Sequence, residues 1–454
     1  MLKSTFNLGG IHPPENKKYS EGKEIRNISV PEQVSINLNQ HIGRKAKAVV
    51  EKKQEVSVGD ILGEADGFIS ALVHSPVSGT VKKIEQKMTA AGMVESTLTI
   101  DVDVEKTAED SKKYEMKKEV DIDQTSKEDL LKMIQDAGIV GQGGATFPMH
   151  VKLSPPPDKQ VDILILNGAE CEPYLTADHQ LMLEKTDEIL LGVRVIQKVS
   201  NVKQVHIGIE ENKPDAIKLF TERISATGIQ NCQVSALKTK YPQGGEKQLI
   251  NAITGREVPS GKLPFDVGVL VQNVGTIFAV YEAVFYGKPV IDRVTTITGF
   301  VKKPGNFRIR MGTAFSHAIE DGAGGFIDEE RVRSVVNGGP MMGKSIRQLD
   351  VSVMKGTSGI VALSDHEFVF SEEGPCIRCG RCIDICPMGL MPVNLADDTI
   401  LKNGTELLDS MDCIECGSCS YVCPTSRKLV HWIKIGKGVY RTWKAKEESY
   451  KTDQ

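Results

Sequence analysis

Eight of the ten cysteines fall between residues 376 and 423, in two runs of identical spacing. The first is Cys376, Cys379, Cys382 and Cys386, followed by Pro387; the second is Cys413, Cys416, Cys419 and Cys423, followed by Pro424. In a C-x2-C-x2-C-x3-C-P run, three thiolates in a tight loop wrap one face of an iron–sulfur cube, and the fourth reaches the neighbouring cube. The spacing therefore assigns Cys376, Cys379, Cys382 and Cys423 to one [4Fe–4S] cluster, and Cys413, Cys416, Cys419 and Cys386 to a second. Zinc sites usually take two C-x2-C pairs or mixtures of Cys and His, a pattern this doubled run does not follow. Such clusters carry single electrons and offer no pocket for an organic substrate. The region reads as an electron relay whose other end lies elsewhere in the chain.

Four glycine- or amide-bearing segments are candidates for that other end. Gly141, Gly143 and Gly144 sit in GQGGATFP, where backbone N–H groups can approach an anion or a flat ring closely. The segment follows a predicted helix and lacks the Lys-Ser/Thr of a phosphate loop, so it matches neither standard nucleotide motif and reads equally as a tight turn. NGAECEP (residues 167–173) directly follows an apolar run, at the end of a strand where open α/β sheets bind ligands. Its carboxylates, Glu170 and Glu172, suit hydrogen bonds to ribose hydroxyls or to a carboxamide, or a plain solvated loop. YPQGGE (residues 241–246) places Gly245 and Glu246 ahead of a predicted helix, and QNVGT (residues 272–276) repeats the layout with Asn273 and Thr276. Loops of one chemistry at the strand ends of one sheet describe a single cleft.

The elements that position these residues follow from apolar periodicity. Residues 1–115 are rich in short β-branched runs broken by Gly and Asp, and predict an all-β unit. The charged stretch 105–127 predicts a solvated linker. From residue 130 onward, strands at 161–167, 204–209, 232–237 and 267–272 alternate with helices at 177–199, 215–225, 246–253 and 276–285, the rhythm of a layered α/β domain spanning 116–288. Residues 289–350 predict a compact α+β unit, residues 360–428 the two-cluster domain, and residues 429–454 a basic tail holding Trp432 and Trp443. That tail suits membrane headgroups or a partner as well as it suits packing over the clusters.

With 454 residues the chain supports several cores, and 56 Lys+Arg against 60 Asp+Glu leaves no basic footprint for nucleic acid. No run of about 20 apolar residues predicts a membrane span. The amino-terminal MLKSTFNLGG carries no apolar signal core, which places the chain in the cytoplasm and favours metal over disulfides as the use of its cysteines.

Taken together, GQGGATFP, NGAECEP, YPQGGEKQ, QNVGT and the doubled cysteine motif resemble RnfC, the peripheral C-subunit family of the Rnf ion-translocating electron-transport complexes. The resemblance covers essentially the whole chain. It implies a lipoyl-like barrel-sandwich domain, a flavin and NADH domain similar to the nucleotide-binding subunit of respiratory complex I, a β-grasp domain acting as a spacer, and a double ferredoxin-like domain. It further implies that Gly141, Gly143, Gly144, Asn167, Glu170, Gly245, Asn273 and Thr276 line non-covalent FMN. Phe147 and Lys152 would sit on the flavin or nucleotide side, and Glu172 and Glu246 would contact NADH. Where the complex I pattern has Arg, Gly and Asp, this chain has Gln142, Thr146 and Ala169. The lipoyl-like hairpin has Phe68 at the position of the cofactor-bearing lysine, so a docking module rather than a swinging arm is expected. The implied activity is electron transfer between NADH and ferredoxin, with no catalytic side chain needed for hydride transfer. Other Rnf subunits, membrane-embedded and ferredoxin-like, would be the partners, ferredoxin itself would be met indirectly, and those membrane partners would move Na+ or H+ while this chain stays peripheral on the cytoplasmic side. Two other readings fit the same parts: a soluble cobalamin reductase of the diol-utilisation microcompartment type, and a non-enzymatic relay that only docks redox partners.

Overall fold

The computed structural model describes residues 4–227, 229–368, 371–402 and 408–452. Two antiparallel sheets form the all-β unit. One orders the strands Gln33–Asn37, Val94–Val102, Gly79–Met88 and Glu55–Val56; the other orders Lys47–Ala48, Ile61–Glu64 and Val73–His74. Val34, Ile36, Leu62, Val73, Val81, Leu98 and Ile100 fill the space between them. The barrel-sandwich expectation holds, and Phe68 is exposed at a tip of the unit. Its carbonyl accepts from His150 Nε2 (3.1 Å), so the tip docks on the short helix Met149–Lys152 that follows the glycine loop.

The charged stretch after the barrel is not simply a linker. It opens with the helix Val104–Ser111, capped by the Asp103 side chain. Thr107, fully buried, exchanges hydrogen bonds with Ser78 through N–H···Oγ1 (2.8 Å) and Oγ1–H···O (3.2 Å). The anchor is one threonine rather than an apolar stripe, which is why periodicity misses it.

In the central domain the strands Cys232–Leu237, Gln204–Glu210, Ile163–Gly168 and Val269–Asn273 lie side by side in that order, all parallel. Thr186–Ser200 and Val274–Tyr286 pack on one face, closely enough that a side chain on Gly192 would meet the Ile277 carbonyl at 2.5 Å. Leu249 and Ile250 of the helix Glu246–Thr254 cover the other face. The helix expected at 177–199 is two helices, Ala177–Glu184 and Thr186–Ser200, hinged at Lys185. Thr186-Asp187-Glu188 is a helix-start signal inside the apolar run, with acidic groups placed to meet the second helix's dipole.

The third sheet has six strands: Arg26–Asn27, Gly305–Arg310, Asp292–Gly299, Gly359–Ser364, Val332–Asn337 and Lys344–Ile346. Its extent corrects two expected boundaries. Gly359–Ser364 lies inside this sheet and not at the start of the cysteine domain, and Arg26–Asn27 leaves the amino-terminal unit to pair in parallel with Gly305–Arg310. Both pairings join segments remote in sequence, which no local pattern encodes.

The cysteine domain is an internal repeat. Arg378 and Glu415 are left-handed (φ 55° and 59°), as are Gly380 and Gly417 (φ 77° and 80°), and each pair precedes a short helix, Arg381–Asp384 or Ser418–Tyr421. The helix Leu429–Thr452 buries Leu429 and Ile433 and sends Lys437 Nζ to the Cys413 carbonyl (2.9 Å) and to Glu415 (2.6 Å). The first half of the basic tail therefore packs over the cysteines.

Lys355 ties three units together. Its fully buried Nζ donates to the carbonyls of Leu72 and Gly138 (2.7 Å each), and its own carbonyl accepts from Arg293 (2.6 Å). Lys355→Met would leave one buried and one half-buried carbonyl without this donor, at a cost of about 2 kcal/mol. Thermal denaturation is expected to show that loss together with faster proteolysis of the barrel.

Candidate functional site

All four loops meet at the carboxyl ends of the central strands. Gly141 N–H donates to the Phe147 carbonyl (2.9 Å) and closes the glycine loop. Gln142 N–H donates to Thr276 Oγ1 (2.9 Å), pinning that loop to the helix Val274–Tyr286. Asn273 caps the same helix through Oδ1, while its Nδ2 donates to Asp178 (2.6 Å). Gly143 lies so close that a Cβ would stand 2.8 Å from Asn273 Nδ2, whereas one on Gly144 would meet nothing within 4 Å. Asn167 Nδ2 donates to the Gly244 carbonyl (2.9 Å), joining the rim loop to YPQGGE. Lys152 Nζ reaches Glu246 Oε1 (2.7 Å) and the Val271 carbonyl (2.9 Å). Gly143, Gly144 and Ala145 are exposed along the mouth, and the buried amide nitrogens of Gln243 and Gln272 lack partners. A glycine-lined, exposed cradle lets a flat ligand bearing a phosphate approach the backbone closely.

Two rim carboxylates have other work. Glu170 accepts from the backbone of Asp178 (2.8 Å) and His179 (3.1 Å), so it caps the helix Ala177–Glu184. Glu172 is held by the third domain: its two oxygens accept from Met341 N (3.1 Å) and Met342 N (2.8 Å). The carboxylate that the sequence reading assigns to NADH is thus already engaged by two amides of the third domain. Burial pushes its carboxyl up to about 7, against the pull of those amides and of Lys17. Glu246, partly exposed and paired with Lys152, keeps a position open to ligand.

The cysteines fall into two nests. Cys386, Cys413, Cys416 and Cys419 line one cavity with about 350 Å³ of empty volume, walled otherwise by aliphatic side chains such as Leu390, Ile414 and Ile433. Cys386 thus joins the second run. Conversely, Arg427 donates its backbone N–H to Cys423 Sγ (3.4 Å) and holds its guanidinium beside Cys376, so Cys423 stands with the first run. Backbone amides point at Cys376, Cys413 and Cys386 as well (3.4 Å each). Four thiols around one cavity, each run receiving amide donors, is the arrangement a cubane needs. Cys416 and Cys419 are buried while Cys376 and Cys379 are exposed. The buried nest touches the cleft: the Tyr241 hydroxyl donates to the Cys416 carbonyl (2.8 Å) and sits beside Glu172. Gln248 Nε2 donates to the Pro387 carbonyl (3.2 Å).

The C-subunit of the proton-translocating ferredoxin:NAD(+) oxidoreductase complex of Clostridium ljungdahlii is 46% identical over 454 residues, 99% of this chain and 96% of the relative. The chain belongs to the RnfC family. The Acetobacterium woodii Na(+)-translocating counterpart is 44% identical over 94% of this chain and 96% of its own. Four family descriptions match along the RnfC chain: RnfC barrel sandwich hybrid domain (residues 5–105), Nuo51 FMN-binding domain (134–282), SLBB domain (294–345) and 4Fe-4S dicluster domain (375–426). A NAD+-reducing [NiFe]-hydrogenase chain shares the fold at TM-score 0.50 and 16% identity, over 71% of this RnfC chain and 61% of its own. Among the described residues no helix is long and apolar enough to cross a membrane.

Sequence reasoning missed Lys17, Asp178, Tyr241, Arg293 and the loop carrying Met341 and Met342. Asp178 is pushed up by burial and by the Glu170 charge, yet in the sequence it is one polar residue in a helix's first turn. Tyr241 opens a segment singled out for its glycines, and nothing marks its hydroxyl.

Gly143→Ala is expected to displace Asn273 from its cap, costing about 1 kcal/mol of stability and abolishing flavin retention, read by absorbance of the reconstituted protein. Glu172 is held well above its ordinary 4.5, so the folded state binds its proton more tightly than the unfolded chain. The stability it contributes is complete below the ordinary value and is lost as pH rises through about 7. Melting temperatures between about pH 5 and 8 should show that decline, and Glu172→Gln should remove its share.

Proposed function

We infer that the chain is the NADH-linked electron-transfer subunit of a membrane-bound ferredoxin:NAD+ oxidoreductase, with FMN in the cleft and a [4Fe–4S] cluster in each cysteine nest. The observation that carries this reading is the Tyr241 contact, which puts a cleft loop directly against a cluster loop. Bound FMN supplies a ring that exchanges hydride with nicotinamide and passes electrons on singly. The chain's own residues position and insulate. Gly143 and Gly144 let the ring and phosphate approach the backbone, Asn273 and Thr276 hold the glycine loop in place, and the Lys152–Glu246 pair borders the nucleotide side. An acidic group such as Glu246 at a ribose site favours an unphosphorylated 2′-hydroxyl, hence NADH over NADPH.

The buried nest of Cys386, Cys413, Cys416 and Cys419 stands nearest the cleft. The exposed nest of Cys376, Cys379, Cys382 and Cys423 is the outer terminus, where a ferredoxin-like partner exchanges electrons. Rnf membrane subunits carry the Na+ or H+, and this protein sits peripherally on the cytoplasmic side. The wire serves both directions, NADH oxidation and NAD+ reduction.

The test is anaerobic reconstitution with iron, sulfide and FMN, then titration with NADH while flavin absorbance and cluster EPR are followed. Flavin bleaching with appearance of both cluster signals is expected. Cys379→Ser should leave NADH reduction of the inner cluster intact, whereas Cys416→Ser should stop electrons at the flavin although bleaching persists. Clusters that assemble in a protein blind to flavin and NADH would reduce the chain to a docking relay.

A further inference from the structure

The amino-terminal segment runs outside the two sheets of the barrel and touches each part of the electron path. Ser4 bridges to Leu237, and Ile11 to Tyr241; Gly10 N–H donates to the Ile385 carbonyl (2.9 Å) in the cysteine domain. The strap then delivers Lys17 beneath the rim loop. Lys17 is buried (6% exposed), and its Nζ donates to the carbonyls of Glu170 (2.8 Å), Glu172 (3.1 Å) and Leu175 (2.6 Å). An ammonium has three N–H donors, and all three are used within one loop.

That loop needs an external hold. Glu170 and Tyr174 are left-handed (φ 47° and 70°), a conformation costly for residues with a Cβ. Burial and the neighbouring Lys213 both work against the Lys17 charge, while Glu170 and Glu210 favour it; a buried Nζ of this kind depends on the carbonyls of this loop for its hydrogen bonds. Glu170 in turn fixes the amides of Asp178 and His179, and Asp178 holds Asn273 at the glycine loop.

We propose that Lys17 is a positioning residue for the flavin and nucleotide cleft, clamping the strained rim loop from a strap outside the flavin domain. The inference rests on the reading that this cleft takes FMN and NADH. Lys17→Met keeps an unbranched side chain, one atom shorter, and removes every donor. In the full chain reconstituted with clusters and FMN, K17M is expected to weaken FMN binding and raise the KM for NADH by about 10-fold each. The flavin reduction rate at saturation and the dithionite-reduced cluster signals should stay within about 2-fold of wild type. Hydrogen exchange at Asp178 and His179 should accelerate by about 10-fold, a readout that needs no cofactor. Phe6, buried at the far end of the strap with Lys240 Nζ over its ring, gives the control: Phe6→Leu should lower the melting temperature without moving these quantities.

Wild-type exchange and binding constants in K17M would overturn the proposal. So would joint loss of flavin and clusters in K17M, or an F6L variant that behaves like it, since either outcome assigns Lys17 to general folding. A wild-type chain that binds no flavin would instead refute the FMN reading, and the exchange rates would still decide whether Lys17 clamps the loop.

Discussion

At the Tyr241 hydroxyl, separate stretches of chain converge on one buried contact. Ile11 of the strap, Cys171 of the rim loop, Met341 of the third domain and Ile385, Ile414 and Val422 of the cysteine domain pack around Tyr241 and Cys416. Single-electron transfer between bound cofactors depends on their separation, and a separation set by domains on flexible linkers would wander. Here it is set by apolar packing plus a hydrogen bond from a tyrosine to the backbone of a cysteine. The fixed junction explains why the third domain is more than a spacer: its Met341 and Met342 amides hold Glu172, which shares the Tyr241 hydroxyl's surroundings.

Around this junction, loops that lack ladder partners are satisfied by buried cations. Lys17 takes three carbonyls of the rim loop, Lys213 takes that of Ala169 (2.7 Å), Lys355 takes those of Leu72 and Gly138, and Arg293 takes that of Lys355. A buried carbonyl without a donor is costly, and a long side chain can supply donors where no strand or helix can follow. Burial works against the charge on Lys17, Arg293 and Lys355, bringing Lys355 down to about 7; what these loops use is their N–H donors.

Much of the architecture was legible from pattern. Alternating apolar strands and amphipathic helices predicted the parallel sheet, and the strand Cys232–Leu237 falls where periodicity put it. What failed was non-local. Gly359–Ser364 is an ordinary apolar hexapeptide until its neighbours Asp292–Gly299 and Val332–Asn337 are known. Thr107 reads as one polar residue in a charged run until Ser78 is folded against it. Glu172 reads as a rim carboxylate because the sequence shows the loop and not the amides that hold it.

By itself the sequence determined the kind of cofactor chemistry. Cubane ligation is written in the short-range geometry of a C-x2-C-x2-C loop, and a glycine's freedom to let a ligand approach is a property of that residue alone. Only the tertiary structure decided which cysteine nest lies buried against the cleft and which faces solvent, which rim carboxylates remain open, and that a lysine near the amino terminus reaches a loop more than 150 residues away. Those outcomes depend on pairings between distant segments, where each partner's residue type suits many alternatives and burial selects among them.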